Sequence, residues 1–459
     1  MRIAIVGAGP TGFFLAGALL KKGGDDLTID MFEKTPFPFG LVRFGVAPDH
    51  PKIKLVTKGF QKTMNSEKFC FWGNISLAEQ NGTGAVTAKD LLSHYDRVVL
   101  TVGCQDDRKL GIPFEDSKNS YSATRFVGWY NGHPDDERLN PDLQVERATI
   151  VGAGNVAIDV VRFLASTHSR MALTDASDHS LEALRESQIK EIDVLVRRGA
   201  WDVAFTNPEV KELLDFEDIQ FQFFPELPPL DKEPPYADRR SIKNLTVFHE
   251  LAERRVQEPR LVVNFRFQVS PKEVRVDENG AVSAVEVCHN ELEFGETRSQ
   301  ITQTDRTSVY PSQLFIRSVG YRGRPLEGVP FDDWKGTVPC DSVGRVMDED
   351  GQAVPGLYVS GWIRRGPSGV IGTNKKDAQE VADAVLEDAV SGQTSTAEDF
   401  AAWQESVLVP EALSKNDWAI IDQWEISQGS DTGRPRRKLV SVEQVRRALD
   451  KGRTTASRT

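Results

Sequence analysis

Cysteine is scarce. The 459 residues hold four, Cys70, Cys104, Cys288 and Cys340, and no two share a C-x-x-C or C-x-x-x-x-C spacing. That excludes a redox dithiol pair and a cysteine-rich iron–sulfur motif, and it fits reduced core thiols in a cytosolic protein. Long apolar runs are missing too. None approaches the roughly 18–20 residues that cross a membrane. Positive charge is in deficit, with 56 Lys and Arg against 68 Asp and Glu and a net charge of −12. General nucleic-acid affinity is thereby disfavoured, although a local basic patch for an acidic partner remains compatible. A signal or transit peptide is not expected, because a strand pattern begins at residue 2. What remains, 39% hydrophobic and 27% charged residues, is the composition of a globular protein with a full core. The length suits about three domain-equivalents, or two large domains.

The most informative stretch is Met1–Glu33. Ile3 to Val6 reads as a buried parallel strand and runs without spacer into Gly7-Ala8-Gly9-Pro10-Thr11-Gly12, a G-x-G-x-x-G turn. Phe13 to Leu20 has helix period, and Lys21-Lys22-Gly23-Gly24 supplies a cationic last turn and C-cap. A second strand, Leu27 to Phe32, ends on Glu33, 21 residues after Gly12. Each part has a mechanical reason. Gly7 permits the tight turn, Gly9 lets a pyrophosphate touch the backbone, Gly12 lets helix and strand pack, and Glu33 accepts ribose hydroxyls. Residues 34–50 then form an irregular loop whose Phe37, Phe39, Leu41, Val42, Phe44 and Val46 are too apolar for a surface connection; burial against something flat, such as a cofactor ring, is expected. Lys52 to Met64 reads as a helix, and Phe69–Ser76 and Arg97–Val102 as strands.

A second fingerprint follows at Ala148–Arg162: a strand, then Gly152-Ala153-Gly154-Asn155-Val156-Ala157 (G-x-G-x-x-A), then a helix. Two such units specify two dinucleotides far better than one would. The next strand, Ile192–Val196, ends on Arg197-Arg198 instead of an acid. An acid repels a 2′-phosphate, whereas paired guanidiniums bind it, so NADP(H) is expected here and FAD or NAD at the first site. Downstream, Asn207 is read as capping a helix with Pro208 first and Glu209 in its first turn, Glu209 serving there as dipole compensation. Pro225–Pro235 is a proline-rich linker. Arg239, Arg240, Lys243, Arg254 and Arg255 load a helical stretch from Ala237 to Gln257 with positive charge, either a solvated face or a docking surface. Residues 261–310 alternate apolar and polar and read as antiparallel strands. Leu314–Gly320 reads as a strand returning the chain to the first domain. Leu357–Trp362 leads into a glycine-rich loop opening a helix, Asp377 to Val390, with the amides of Gly369 to Ile371 facing an anion or the polar edge of a flavin. The last 25 residues, polar and basic, are expected to be disordered from Arg453 to Thr459.

Two dinucleotide sites, one phosphorylated, suggest a flavoprotein fed by NADPH. At this point the chain resembles the adrenodoxin reductase-like ferredoxin–NADP reductases. The residues that carry the resemblance are Pro38–Pro51, Gly152–Asp159, Arg197-Arg198-Gly199, Phe205–Glu209 and Gly361–Lys375. The resemblance implies an α/β protein of two Rossmann-like domains, with FAD held by residues 1–106 and 319–459 and an NADP domain, 107–318, inserted between them. It implies FAD contacts from Thr11, Glu33, Leu41, Ile75, Trp362 and Gly369, Val370 and Ile371. It implies NADP contacts from Arg108, Ala153, Gly154, Asn155, Val156, Arg197, Arg198, Glu209 and Gly369. His50, Asp159 and Glu209 would be the catalytic positions, His50 and Asp159 assisting proton and hydride geometry near the flavin; for Asp159 an i,i+3 pair with Arg162 is the plainer alternative. An acidic ferredoxin-type iron–sulfur protein would dock near Arg239, Arg240 and Lys243. Pro208 departs from the aliphatic residue common in relatives. With no added ferredoxin-like segment and no mitochondrial presequence read, a bacterial cytoplasmic form is expected, without metal, nucleic acid or membrane. Among other readings, thioredoxin and glutathione reductases would need the missing cysteine pair. A Baeyer–Villiger-type F-x-G-x-x-x-H fails because His133 falls one residue late after Phe126 and Gly128. An NADPH-dependent electron-input subunit like that of glutamate synthase, and a flavin-bound sensor without turnover, remain as alternatives.

Overall fold

The computed structural model describes residues 1–78, 84–389 and 394–456. Its chain divides into two compact units, one of residues 1–106, 131–137 and 320–459, the other of 107–130 and 138–319. In the first, the apolar strand Arg2–Val6 sits in the middle of a six-stranded sheet, ordered Arg345–Met347, Ala353–Val359, Arg97–Leu100, Arg2–Val6, Thr28–Glu33, Phe69–Gly73. All neighbours are parallel except the first pair. Parallel strands need crossovers and both faces covered, which is why Ile3, Ala4 and Ile5 are all buried. The helices Pro10–Lys22 and Ile371–Glu387 pack on one another against that sheet.

The second unit repeats the plan with six parallel strands in the order Ile219–Phe224, Leu261–Phe267, Glu191–Val196, Arg147–Val151, Leu314–Arg317, Ser120–Ser122. An antiparallel sheet of Val269–Val276, Val282–Phe294 and Ser299–Pro311 completes it. Among the described residues, no helix is long and apolar enough to cross a membrane.

Several boundaries depart from the sequence expectation, each for a local reason. Leu261–Phe267 is a parallel, interior strand, not an antiparallel one. The polar residues that suggested a wet face are paired: Asn264 Nδ2 donates to Glu191 and Asp193 at 2.7 and 3.1 Å, and Arg266 Nε to Asp193 at 2.6 Å. Leu314–Arg317 pairs with Arg147–Val151 and so belongs to the second sheet, the chain returning only at Gly320. The expected helix 52–64 breaks into Pro51–Lys54 and Thr57–Met64, since the Thr57 hydroxyl takes the carbonyl of Lys54 at 2.8 Å. The loop 34–50 contains a helical turn, Leu41–Phe44, and its aromatics bury against the protein itself: Phe39 lies 5.4 Å from Phe13, and Phe37 6.4 Å from Trp418. Finally, the basic tail is a helix, Val442–Ala456. Val445, Ala448 and Leu449 recur at i, i+3, i+4 and are buried in the first core, a stripe masked by the surrounding arginines. Val390, the expected end of the late helix, and residues 457–459 of the expected disordered tail lie outside the described residues.

Candidate functional site

The first glycine turn is built as its chemistry requires. Gly7 has φ +109°, and a Cβ there would sit 2.7 Å from the Thr101 carbonyl oxygen. At Gly12 a Cβ would overlap the Gly7 carbonyl, so the helix lies directly on the turn. Gly9 faces open space, and the helix Pro10–Lys22 begins there with no side-chain cap. Uncapped amides at the positive end of a 13-residue helix form an anion cradle. Two further segments converge on it. Gly40 (φ +47°) brings the aromatic loop so close that its Cβ would meet Gly9 Cα at 2.9 Å, and Gly361 (φ +81°) packs against the Thr11 side chain. Leu41 follows in the helical turn, half-buried.

Glu33 ends its strand, as expected, but part of its capacity is committed. One carboxylate oxygen accepts from Ala8 N at 3.0 Å and the other from Thr35 N and Oγ1 at 3.1 and 3.2 Å. Burial raises its pKa, with the Thr35 and Ala8 bonds opposing. The oxygen bonded to Thr35 has both lone pairs engaged, so the one bonded to Ala8 keeps the lone pair left for a ribose hydroxyl. Ile75 turns its side chain into the core beside Phe32 and Leu91, and its N–H is bonded to Glu33 O at 2.9 Å, leaving only its carbonyl to a ligand. Trp362 opens the short helix Trp362–Arg365, its Nε1 donating to Ser368 O at 3.1 Å. The late helix begins at Ile371, not Asp377, so Gly369, Val370 and Ile371 stand at its N-terminus and Val370 is exposed. Asp377 lies within that helix and ties the loop down. It accepts from Ser360 Oγ at 2.9 Å, from Gly361 N, and from Arg364 at 2.6 Å. His50 is buried at the N-cap of Pro51–Lys54.

In the second unit the same construction recurs. Gly152 has φ +137° and no room for a Cβ against Ser318 O. Gly154 faces open space at the uncapped start of Asn155–Ala165, and Ala153 and Val156 flank it half-buried. Asn155 Oδ1 accepts from Thr206 N at 2.7 Å, and Ala153 O from Ala204 N at 2.7 Å, which draws the 204–209 segment to the turn. Thr206, not Asn207, is the N-cap of Asn207–Lys211, and Asn207 Nδ2 instead reaches Asn244 at 3.4 Å. That helix has five residues, too few to give Glu209 a substantial dipole to offset. Glu209 pairs instead with Arg162, at 3.4 Å, as do Asp159 at 2.9 Å and Glu212 at 3.1 Å. The i,i+3 pair thus forms, but as one arm of a three-carboxylate cluster about a guanidinium that is 1% exposed. The sequence shows the Asp159 pair but not the cluster, because Glu209 and Glu212 come from elsewhere in the chain. Arg197 is exposed and Arg198 half-buried at the end of Glu191–Val196, and Arg108 is exposed.

These cradles fit FAD and NADP(H): two open glycine turns at uncapped helix ends, one followed by a carboxylate, the other by two guanidiniums. Comparison with known proteins agrees. The family described as pyridine nucleotide-disulphide oxidoreductase matches residues 1–200. NADPH-ferredoxin reductase FprA of Mycobacterium tuberculosis is 40% identical over 97% of this chain and 98% of its own. Human mitochondrial NADPH:adrenodoxin oxidoreductase is 37% identical over 98% and 92%. The solved structure of the mycobacterial protein in complex with NADPH superposes with a TM-score of 0.89, covering 98% of this chain and 99% of that one at 40% identity. With likeness of this degree running the length of both chains, the protein belongs to the adrenodoxin reductase-like family of FAD-containing, NADPH-dependent ferredoxin reductases.

Proposed function

We propose that this chain takes a hydride from NADPH and hands the electrons one at a time to an acidic ferredoxin-type iron–sulfur protein in the cytoplasm. The observation that carries the reading is the contrast between the two fingerprints, Glu33 closing the first and Arg197-Arg198 the second, within a full-length match to such reductases. FAD, when bound, accepts two electrons together and releases them singly. In this reading residues 1–106 and 319–459 hold FAD and 107–318 hold NADP(H).

The protein's own residues then have distinct tasks. The amides at Gly9–Gly12 and at Gly154–Val156 bind pyrophosphate, and Glu33 takes ribose hydroxyls. Thr11, Leu41, Trp362 and the backbone from Gly369 to Ile371 orient the flavin, with Ile75 contributing through its carbonyl. Arg197 and Arg198 bind the 2′-phosphate, and Arg108 and Gly369 add to the dinucleotide contacts. Asp159 and Glu209, both paired with Arg162, orient the nicotinamide end, and His50 assists proton geometry at the flavin. Arg239, Arg240 and Lys243 lie on the exposed face of the helix Arg239–Glu253, capped by Asp238. In a protein of net charge −12 this patch is the docking surface for the acidic carrier.

An anaerobic visible titration tests the reading. A yellow protein bleached by NADPH in preference to NADH, and recoloured as oxidised ferredoxin is reduced, is expected. A protein that binds no flavin refutes it, and a flavin that bleaches yet ignores ferredoxin refutes the acceptor. Charge reversal of Arg239, Arg240 and Lys243 should raise KM for ferredoxin and flatten its salt dependence, leaving NADPH bleaching intact.

A further inference from the structure

The two arginines closing the strand Glu191–Val196 do not stand alone. The hairpin formed by Val282–Phe294 and Ser299–Pro311 reaches down onto them. Asn290 Nδ2 donates to Arg197 O at 2.8 Å, and Arg198 Nε donates to Ser299 O at 2.9 Å. Ser299 is fixed in turn. Its N and Oγ donate to the two oxygens of Asp202 at 2.9 and 2.8 Å, and the Tyr236 hydroxyl lies 2.6 Å from Ser299 Oγ and 3.2 Å from Asp202. The residue immediately before Ser299, in the exposed turn of the hairpin, is Arg298.

The charge balance at this place is one-sided. Among the described residues, no ion pair engages Arg197, Arg198 or Arg298. Asp202, the nearby carboxylate, spends both oxygens on Ser299. Burial lowers the pKa of Arg198, and the like charges of Arg197 and Arg298 lower it further. Arg197 and Arg298 lie close enough to Arg198 for their charges to act on it, and Asp202, hydrogen-bonded to Ser299, is the only carboxylate opposing them among its principal influences; repulsion of this kind is relieved by an anion of more than one charge.

We propose that Arg298 is a third arginine of the 2′-phosphate site, supplied by the hairpin and held in place through Ser299, and that it sets the preference for phosphorylated dinucleotides with Arg197 and Arg198. This rests on the reading of the second fingerprint as the NADP(H) site. Specificity in that case is divided between the Rossmann strand Glu191–Val196 and the antiparallel sheet appended to it.

Binding rather than turnover gives the cleanest test. The holoprotein and its Arg298→Ala and Arg298→Lys variants are titrated calorimetrically with adenosine 2′,5′-bisphosphate and with 5′-AMP. Loss of one charge-assisted contact at an exposed position should weaken the bisphosphate about five- to tenfold in Arg298→Ala. Its salt dependence should become shallower. Affinity for 5′-AMP should stay unchanged, and Arg298→Lys should fall between. Bisphosphate affinity that is unaltered in Arg298→Ala, while the Arg197→Ala/Arg198→Ala double variant loses it, overturns the role of Arg298 alone. Equal weakening of both nucleotides also overturns it, since the effect would not then concern the 2′-phosphate. A parent protein that binds the two nucleotides equally overturns the underlying NADP(H) reading.

Discussion

Replacement of Glu425 by leucine should be among the most damaging single changes in the first unit. Glu425 is fully buried and accepts four hydrogen bonds: from Arg43 Nη1 and Nη2 at 2.8 and 2.5 Å, Arg436 Nη1 at 3.0 Å and Leu439 N at 2.8 Å. Arg43 is itself only 4% exposed and lies 4.3 Å over the Phe37 ring. Leucine would leave that guanidinium buried and uncompensated, at a cost of about 3–5 kcal/mol. For a unit of this size, that corresponds to a fall in Tm of roughly 6–20 °C. The effect should extend beyond stability, because Arg43 belongs to the helical turn that carries Leu41 toward the Gly9 cradle; flavin release, followed by its fluorescence, should accompany or precede the loss of ellipticity. The pH dependence has a definite sign. Burial opposes ionisation of Glu425, but Arg43, then Arg436 and the Leu439 N–H, hold its pKa below the ordinary 4.5. A depressed carboxylate contributes fully above the unfolded value and progressively less as pH falls through the folded one. The gap between parent and variant should therefore be widest above about pH 5 and narrow in acid. The double variant Arg43→Met/Glu425→Leu should be less destabilised than the two single changes added together. A Glu425→Leu protein within about 1 kcal/mol of its parent, or a gap that widens in acid, would refute this reasoning.

Other outcomes follow from single contacts. In steady-state diaphorase assays, Arg197→Ala/Arg198→Ala should erode the preference for NADPH over NADH by raising KM for NADPH alone; unchanged selectivity would sink the assignment of the second fingerprint. Gly12→Ala forces a methyl onto the Gly7 carbonyl, and overpacking of this kind costs about 1–3 kcal/mol. The purified variant should therefore carry less than the full complement of flavin, whereas a normal flavin-to-protein absorbance ratio would show that the turn yields. Truncation after Ser441 removes the buried Val445, Ala448 and Leu449 and should cost roughly 4 kcal/mol by the apolar burial lost, read as a lower urea midpoint. A tail without structural role would leave that midpoint unmoved. Asp388, held at about 2 chiefly by its hydrogen bonds from Arg345 against the opposing effect of burial, contributes stability above pH 4 that is lost toward pH 2. Asp388→Asn should consequently flatten the acid limb of the stability curve.

How much of this was legible in the sequence depended on how local the cause was. The glycine turns were readable because the φ angles of Gly7 and Gly152 and the missing Cβ of Gly12 act within a few residues of themselves. Glu33 and the Arg197-Arg198 pair were readable because a strand end is a fixed place in a repeated unit. Leu261–Phe267 was misread because its polar residues meet partners on another strand, which a single-strand alternation pattern cannot display. The tail helix was obscured in a similar way: its narrow apolar stripe is outnumbered by charged neighbours and acquires meaning only against Trp418 and Ile421 in the same core. Of Arg162 only the pair with Asp159 was legible, since its other carboxylates come from further along the chain, and Arg298 carried no signal, since its place depends on where a hairpin comes to rest. Asp377 was visible as a residue but placed at a helix start, and its bonds to Ser360, Gly361 and Arg364 follow only once the helix begins at Ile371.

The split composition of the first unit has a consequence for biogenesis. Its strand Arg97–Leu100 waits for Ala353–Val359, and its helix Pro10–Lys22 waits for Ile371–Glu387, across the whole intervening second unit. On the ribosome, the first hundred residues emerge with an unpaired sheet edge and an uncovered apolar helix face, while the second sheet can finish and bury its own core. The nascent chain is therefore most vulnerable to edge-to-edge aggregation early and stays so until its last quarter appears. The first glycine turn can accordingly be set in a finished sheet and helix layer only after the second unit has been made.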